Sequence, residues 1–398
     1  MLTPASALEH NFRGLIDARV TQTDGEESHL DAHYGKFRFN DGSNASLAQA
    51  LINYQMDFDN PFSIHVNAMA VSDDIDNEVG ILTAHINYTG LPNRDGHRYK
   101  ARAGIIYPHI SLENPIIGWN SPYTLSFSTM NSWIGEEVRH TGIEFGWEKL
   151  GRFANSKHNF AINGTFFKHN DTAGTLLSWR GWTVSSRQTL WHERRDLPPI
   201  EARFGGMLRF QAEYTDPFIE LDHRYGTEIN ARWTWDNRVI VHVGHYDNNV
   251  DTKVFKHGQY AWETIFDHVG VKAKLSKNLT LISQYLVGDT LMTSPFGRVV
   301  VDNDYHTAYA LLTYKLNQHR FTGRIEEFSV TDKDQTPGDD NDEYGKSITL
   351  NYQYQFDKHW QFHSEFNYID SDRPSRLYDN ADESLSEHQY QVAVRYFW

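Results

Sequence analysis

Cysteine is absent from all 398 residues. That excludes a disulfide framework, thiolate metal sites and cysteine nucleophiles, and it suits a chain that passes through an oxidising compartment. No run of about 18 apolar residues exists, so no spanning helix can be drawn. Basic residues are in the minority, 37 Lys and Arg against 52 Asp and Glu, for a formal charge of -15. That balance excludes nucleic acid as an expected partner, because phosphate neutralisation needs cations in excess. HExxH, paired-ligand spacings and phosphate-cradling loops are missing, so no metal or cofactor is implied. No linker or shift in composition divides the chain, and residues 8–398 read as one domain. A basic, apolar leader is lacking too, yet Ala5-Ser6-Ala7 has the small-x-small form of a signal-peptidase site. Residues 1–7 are therefore the expected remnant of a signal, with the mature chain starting near Leu8.

What the chain does have is aromatic residues, 14% of the total, and an apolar period of two. In a strand alternate side chains face opposite sides. The last nine residues show it most clearly: Tyr390, Val392, Val394, Tyr396 and Trp398 share one face, with Gln391, Ala393 and Arg395 on the other. Comparable windows recur at 12–20, 48–58, 62–71, 79–88, 99–107, 138–148, 159–168, 225–235, 239–246, 262–275, 279–287, 306–316, 321–330, 346–356 and 360–369. With 390–398 these make about sixteen strands, an even number suited to a closed antiparallel barrel. Two more strands around 203–214 would make eighteen. Connections alternate: tight at 59–61, 236–237, 276–278, 317–318 and 357–359, long near 72–77, 108–137, 169–223, 247–258, 288–304, 331–343 and 370–387.

An apolar strand ending on an aromatic, together with loops sorted by parity, resembles Gram-negative outer-membrane porins. The resemblance covers most of the chain as a pattern, although the Pro-Glu-Phe-Gly-Gly loop motif of general porins is not found. It implies an all-β, transmembrane, up-and-down barrel in the outer membrane, with short periplasmic turns, long external loops and periplasmic termini. Outer-membrane lipid, lipopolysaccharide and small hydrophilic solutes are the implied partners, and a homotrimer is implied by resemblance alone.

If the apolar faces meet lipid, the other faces line a lumen. That lumen carries Arg13, Arg19, Arg102, Arg324 and Arg395 among its cations and Asp17, Glu144, Glu326 and Glu365 among its acids. Unpaired ions are costly in a packed core, so this density of charge predicts water inside. The connection at 108–137, between the fifth and sixth strands, is where trimeric porins fold a loop into the pore. It is unusually apolar for an external loop, and it carries Glu113, Glu136 and Glu137. These three are expected to oppose wall arginines across a constriction, Arg102 first and Arg13, Arg19, Arg324 and Arg395 next.

The reading is a channel for passive diffusion of small hydrophilic solutes and not an enzyme. The basic wall favours anionic or sugar-like solutes and the acidic loops favour cations at the mouth, which leaves the sign of selectivity open. Two alternatives stand beside it. An outer-membrane phospholipase or protease would need a relay such as Ser185, Ser186, His192 and Glu193, and a structural or secretion partner would have a plugged lumen. The histidines at 65, 85, 140, 242, 268 and 363 are expected to hydrogen-bond along the wall, and the acidic stretch 332–343 to be a solvated loop.

Overall fold

The computed structural model describes residues 8–398 apart from positions 74 and 76. The expected signal remnant, 1–7, lies outside the described residues. Sixteen antiparallel strands close into one barrel. In chain order they are β1 (Glu9–Asp24), β2 (Gly42–Asp57), β3 (Phe62–Ser72), β4 (Asn77–Thr89), β5 (His97–Ile106), β6 (His140–Lys149), β7 (His158–Lys168), β8 (Gly226–Trp235), β9 (Val239–Asp247), β10 (Trp262–Lys274), β11 (Leu279–Thr293), β12 (Val299–Leu316), β13 (His319–Asp332), β14 (Glu343–Gln355), β15 (Trp360–Asp372) and β16 (Ser384–Phe397). Each pairs with its neighbour in sequence, and β1 closes on β16 with Leu15 opposite Phe397 and Asp24 opposite His388.

The segments read from the period of two are these sixteen strands. The eighteen-strand alternative fails because 169–225 adds no stave. Its Arg195–Asp196 and Tyr214–Thr215 form only a two-residue ribbon outside the barrel sheet. Two connections on the long-loop side, 73–76 and 294–298, are short, because the flanking strands run past their expected ends.

Strands run from 9 to 18 residues, and about 9–11 suffice to cross a bilayer. The outer face is apolar where the alternation predicts it: Phe12, Ile52, Phe145, Ile229, Ile325 and Tyr390 are all exposed there. The same alternation puts Asp17, Arg19, Glu144, Arg324, Glu326, Glu365 and Arg395 inside, all buried. Gly14 lies under the ring of Trp398, where a Cβ would sit 1.8 Å from the indole. Their backbones exchange hydrogen bonds of 3.2 and 3.3 Å, so the aromatic end is seated on the first strand.

The acidic stretch 332–343 is more ordered than its composition suggests. Asp339 is buried and accepts from the Trp179 indole at 3.3 Å, and Glu343 is buried against Lys36. The indole and the ammonium supply the partners that let these two leave solvent.

Candidate functional site

The connection 107–139 (L3) turns inward and stays there. A buried loop must satisfy its peptide groups without water, and the wall's inward polar residues do this. Arg102 on β5 donates to the Tyr107 carbonyl at 2.9 Å, and Glu228 on β8 accepts from His109 N–H at 3.0 Å. Gln284 on β11 brackets the next turn, accepting from Leu112 N–H at 2.7 Å and donating to the Ile110 carbonyl at 2.8 Å. The chain then recrosses to β2, where Asn120 and Gln49 exchange side-chain hydrogen bonds of 2.8 and 3.1 Å.

From there it runs along β16, β15 and β13. Arg395 donates to the Ser121 carbonyl at 3.3 Å, and Glu365 accepts from Leu125 N–H at 2.6 Å and Ser126 N–H at 2.9 Å. Arg324 donates to the carbonyls of Ser126 and Phe127 at 3.0 and 2.8 Å. Helix α1 (Thr129–Glu137) begins at the Ser128 cap, and two carboxylates meet its N-terminal amides: Glu326 takes Thr129 N–H at 2.7 Å and Glu113 takes Ser128 N–H at 3.0 Å. Negative charge is favoured there because the first amides of a helix are unpaired and the dipole is positive.

Two charge clusters fix the loop to the wall. Arg324 pairs with Glu113 and Glu326, each at 2.7 Å and all three buried. Arg19 and Arg395 share Asp17, at 2.7 and 2.8 Å. Of the loop–wall pairs expected from sequence, Glu113 with Arg324 is made. Arg102 instead pairs with Glu144 on the adjacent strand at 2.7 Å, because direct cross-strand neighbours lie closer than the loop does. Arg13 has no ion-pair partner among the described residues. Glu136 and Glu137 do not oppose the wall at all.

They face the connection 169–225 (L4), which also folds into the barrel. Glu136 pairs with Arg180, at the end of α2 (Thr175–Arg180), and with His29 from the first loop at 3.4 Å. Burial raises the Glu136 carboxyl, but Arg180 and His29 outweigh it and hold the group down to about 2. Glu137 has no ion-pair partner within salt-bridge distance among the described residues. It accepts from the Trp133 indole at 2.6 Å and Leu176 N–H at 2.9 Å, and burial pushes it up to about 7. Burial and Arg180 together lower His29 to about 4. Trp133, Trp182, Phe266 and Tyr305 join α1, L4, β10 and β12 edge to face.

Every residue of 123–140 and 170–190 is buried. The mid-barrel charges therefore sit in a dense hydrogen-bonded lattice and do not line water, a correction to the water-lined mid-lumen expected from charge density. L4, expected as an external loop, packs over L3 because its own backbone and aromatic groups find partners there. The Ser185 carbonyl accepts from Phe127 N–H at 2.8 Å, and Ser185 N–H donates to the Ser132 hydroxyl at 2.9 Å. Trp179-Arg180-Gly181-Trp182 was the available sequence signal, since two indoles in one turn are poorly suited to a solvated loop.

The Ser, His and acid of L4 are not brought together. The Ser186 hydroxyl accepts from Arg19 at 3.0 Å and Arg38 at 3.3 Å, and Glu193 pairs with Arg187. The exposed His192 lies 3.6 Å from Glu78. Asp171, Glu220 and Asp222 of L4 converge, but each already accepts backbone N–H groups.

Accessible space lies on the turn side of L3. One cavity of about 510 Å³ is bounded by Arg13, Asn53, Thr83, Arg102 and Trp119. A second, of about 520 Å³, lies at the turns and includes Arg98, Glu148, Lys157, Arg232 and Asp236. The acids there are neutralised: Glu148 by Arg98 and by Lys100 at 2.7 Å, Asp236 by Lys157 at 3.0 Å. Arg13 and Arg232 are left without counter-charges among the described residues.

No protein-family model and no curated sequence matches the chain. Solved structures do. The outer membrane channel DcaP of Acinetobacter baumannii aligns with a TM-score of 0.58 at 11% identity over 98% of this chain and 97% of that one. An anion-selective porin from Comamonas acidovorans gives 0.54 at 10% identity, covering 98% and 100%. The trimer form of OmpT, an outer membrane protein of Vibrio cholerae, gives 0.54 at 11%, also covering 98% and 100%. At such identities the likeness is one of fold, and it spans both chains end to end: the protein has the closed sixteen-strand barrel of the outer-membrane porins.

Proposed function

We propose that this barrel is an outer-membrane porin through which small hydrophilic solutes, anions in preference, diffuse down their gradients. The observation that carries the reading is L3, held inside a closed barrel by wall charges that bind its backbone, with free cations in the accessible space below it. Unpaired Arg13 and Arg232 beside neutralised acids favour anions, since fixed charge in a narrow aqueous space concentrates the opposite ion. The residues proposed to set selectivity are Arg13 and Arg102 at the cavity, while Arg19, Arg324, Arg395 and Glu113 are proposed to hold L3 in place above it. Glu136 and Glu137 belong to the contact that closes L4 over L3. Outer-membrane location, with periplasmic termini and contact with lipid and lipopolysaccharide, is part of this proposal, as is a homotrimer.

The buried faces of L3 and L4 favour a second reading, a plugged barrel acting as a structural or secretion partner. Planar-bilayer recording across a salt gradient separates the two. Folded, heat-modifiable protein is expected to give channels whose reversal potential reports anion preference. Absence of channels from such protein would reject the porin and leave the plugged barrel.

A further inference from the structure

The cavity beneath L3 brings together an unpaired cation, a row of amide and hydroxyl side chains, and an indole edge. The Arg13 guanidinium is exposed on the lumen side, with neither an ion pair nor a side-chain hydrogen bond among the described residues. From its cross-strand partner Asn53, a row of side chains runs round the wall at one height. Asn53 Nδ2 donates to Asn67 Oδ1 at 3.0 Å, and Asn67 Nδ2 donates to Thr83 Oγ1 at 2.7 Å. This row fixes the amides without using up their capacity, since an amide offers two N–H donors and two acceptor lone pairs.

Across from it, L3 sets Trp119 at the cavity edge in a left-handed conformation, φ 59°, directly after Gly118 at 62°. Glycine accepts that geometry freely; for a bulky residue it is strained, and such strain persists where the surroundings impose it, most often at binding sites. Here Tyr107 packs on the indole at 4.8 Å and 11°, with Phe127 against its edge.

We propose that this cavity is a subsite for a small polyhydroxylated monoanion, a sugar acid. The carboxylate would meet Arg13, the hydroxyls the Asn53–Asn67–Thr83 row, and the apolar face of the ring the edge at Trp119. The cavity's volume, about 510 Å³, lies within the roughly 300–1,000 Å³ of small-ligand sites. Arg102 is held by Glu144 and is not available for the same task, so the site takes one negative charge. The inference deepens the porin reading by naming a solute class. It depends on that reading for the route by which solute arrives, and not for binding.

The test is calorimetric titration of the full chain, folded in detergent, with D-galacturonate as probe and D-galactose and acetate as comparators. Saturable galacturonate binding is expected, at least tenfold tighter than either comparator and at least tenfold weaker in Arg13→Gln, whose lack of partners leaves folding untouched. Thr83→Val provides a second, uncharged variant, expected to weaken galacturonate severalfold and leave acetate unchanged. Equal binding by native protein and Arg13→Gln would overturn the site, and acetate binding as tightly as galacturonate would overturn the sugar-acid assignment. Bilayer recording keeps the two proposals apart: a conducting channel without galacturonate binding sinks the subsite alone, and binding without conductance sinks the porin alone.

Discussion

Replacing Arg324 by methionine should release L3 from the wall while leaving the barrel closed. The guanidinium is fully buried and bridges Glu113 and Glu326 at 2.7 Å each, with further bonds to Ser126 and Phe127 carbonyls and to the Thr349 hydroxyl at 3.1 Å. Methionine fills much of the volume but leaves two buried carboxylates without their shared cation. Breaking a buried pair by removing one partner costs about 3–5 kcal/mol, which shifts the docked-to-released equilibrium of L3 by roughly 100-fold to 4,000-fold. The sheet loses only the side-chain bond to Thr349, because strand pairing around Arg324 is backbone to backbone. Hydrogen exchange reads the effect directly: the amides of Leu125, Ser126 and Thr129, bonded to Glu365 and Glu326, should lose protection by that factor while those of β13 and β14 keep theirs. Arg102→Met is the control, since Arg102 makes one hydrogen bond to L3 among the described residues, to the Tyr107 carbonyl. Less than a tenfold change in Arg324→Met, or an equal change in Arg102→Met, would refute the idea that this cluster holds the loop.

Gly14→Val places a side chain where the Trp398 ring lies, so the aromatic end should be displaced and the yield of heat-modifiable barrel should drop severalfold. Normal yield would show that seating Trp398 on β1 is dispensable. Titration of the loop junction gives the other prediction. Glu137, raised to about 7 against an ordinary value near 4.5, binds its proton more tightly folded than unfolded, so its contribution is present below about 4.5 and lost as pH rises through 7. Glu137→Gln should therefore gain thermal stability relative to the native chain between pH 4.5 and 7, with a constant difference outside that window. A flat difference throughout would remove Glu137 as the titrating group. His29, lowered to about 4, works in the opposite sense, losing its contribution as pH falls from 6.5 toward 4.

Much of the barrel can be read locally. A strand that meets lipid on one face must place an apolar residue at every second position, so Tyr390, Val392 and Val394, or Phe321 and Ile325, reveal strand, face and register within a few residues. The same rule placed Asp17, Arg19, Arg324 and Arg395 inside, and the resemblance to porins, by position between the fifth and sixth strands, together with apolar content marked L3 as the loop that turns in.

What those inward charges do was decided elsewhere in the chain. Arg324 and Glu113 are 211 positions apart, and Arg19 and Ser186 are 167. Nothing local couples such pairs; they meet only because sixteen strands close a ring and two loops enter it. Charge density on a strand face says that the face is not lipid, but a buried loop's peptide groups can satisfy the same charges that water would. L4 settles which of these occurs. Its indoles and backbone amides find partners on α1, so L3 and L4 pack against each other inside the barrel, while Arg13 and Arg232 below them have no ion pair among the described residues. The period of two thus determined the barrel and its faces by itself, since that pattern is a property of each strand alone. Only tertiary closure decided which arginines hold the loop and which are left without an ion pair among the described residues, since that choice depends on what each guanidinium meets across the lumen.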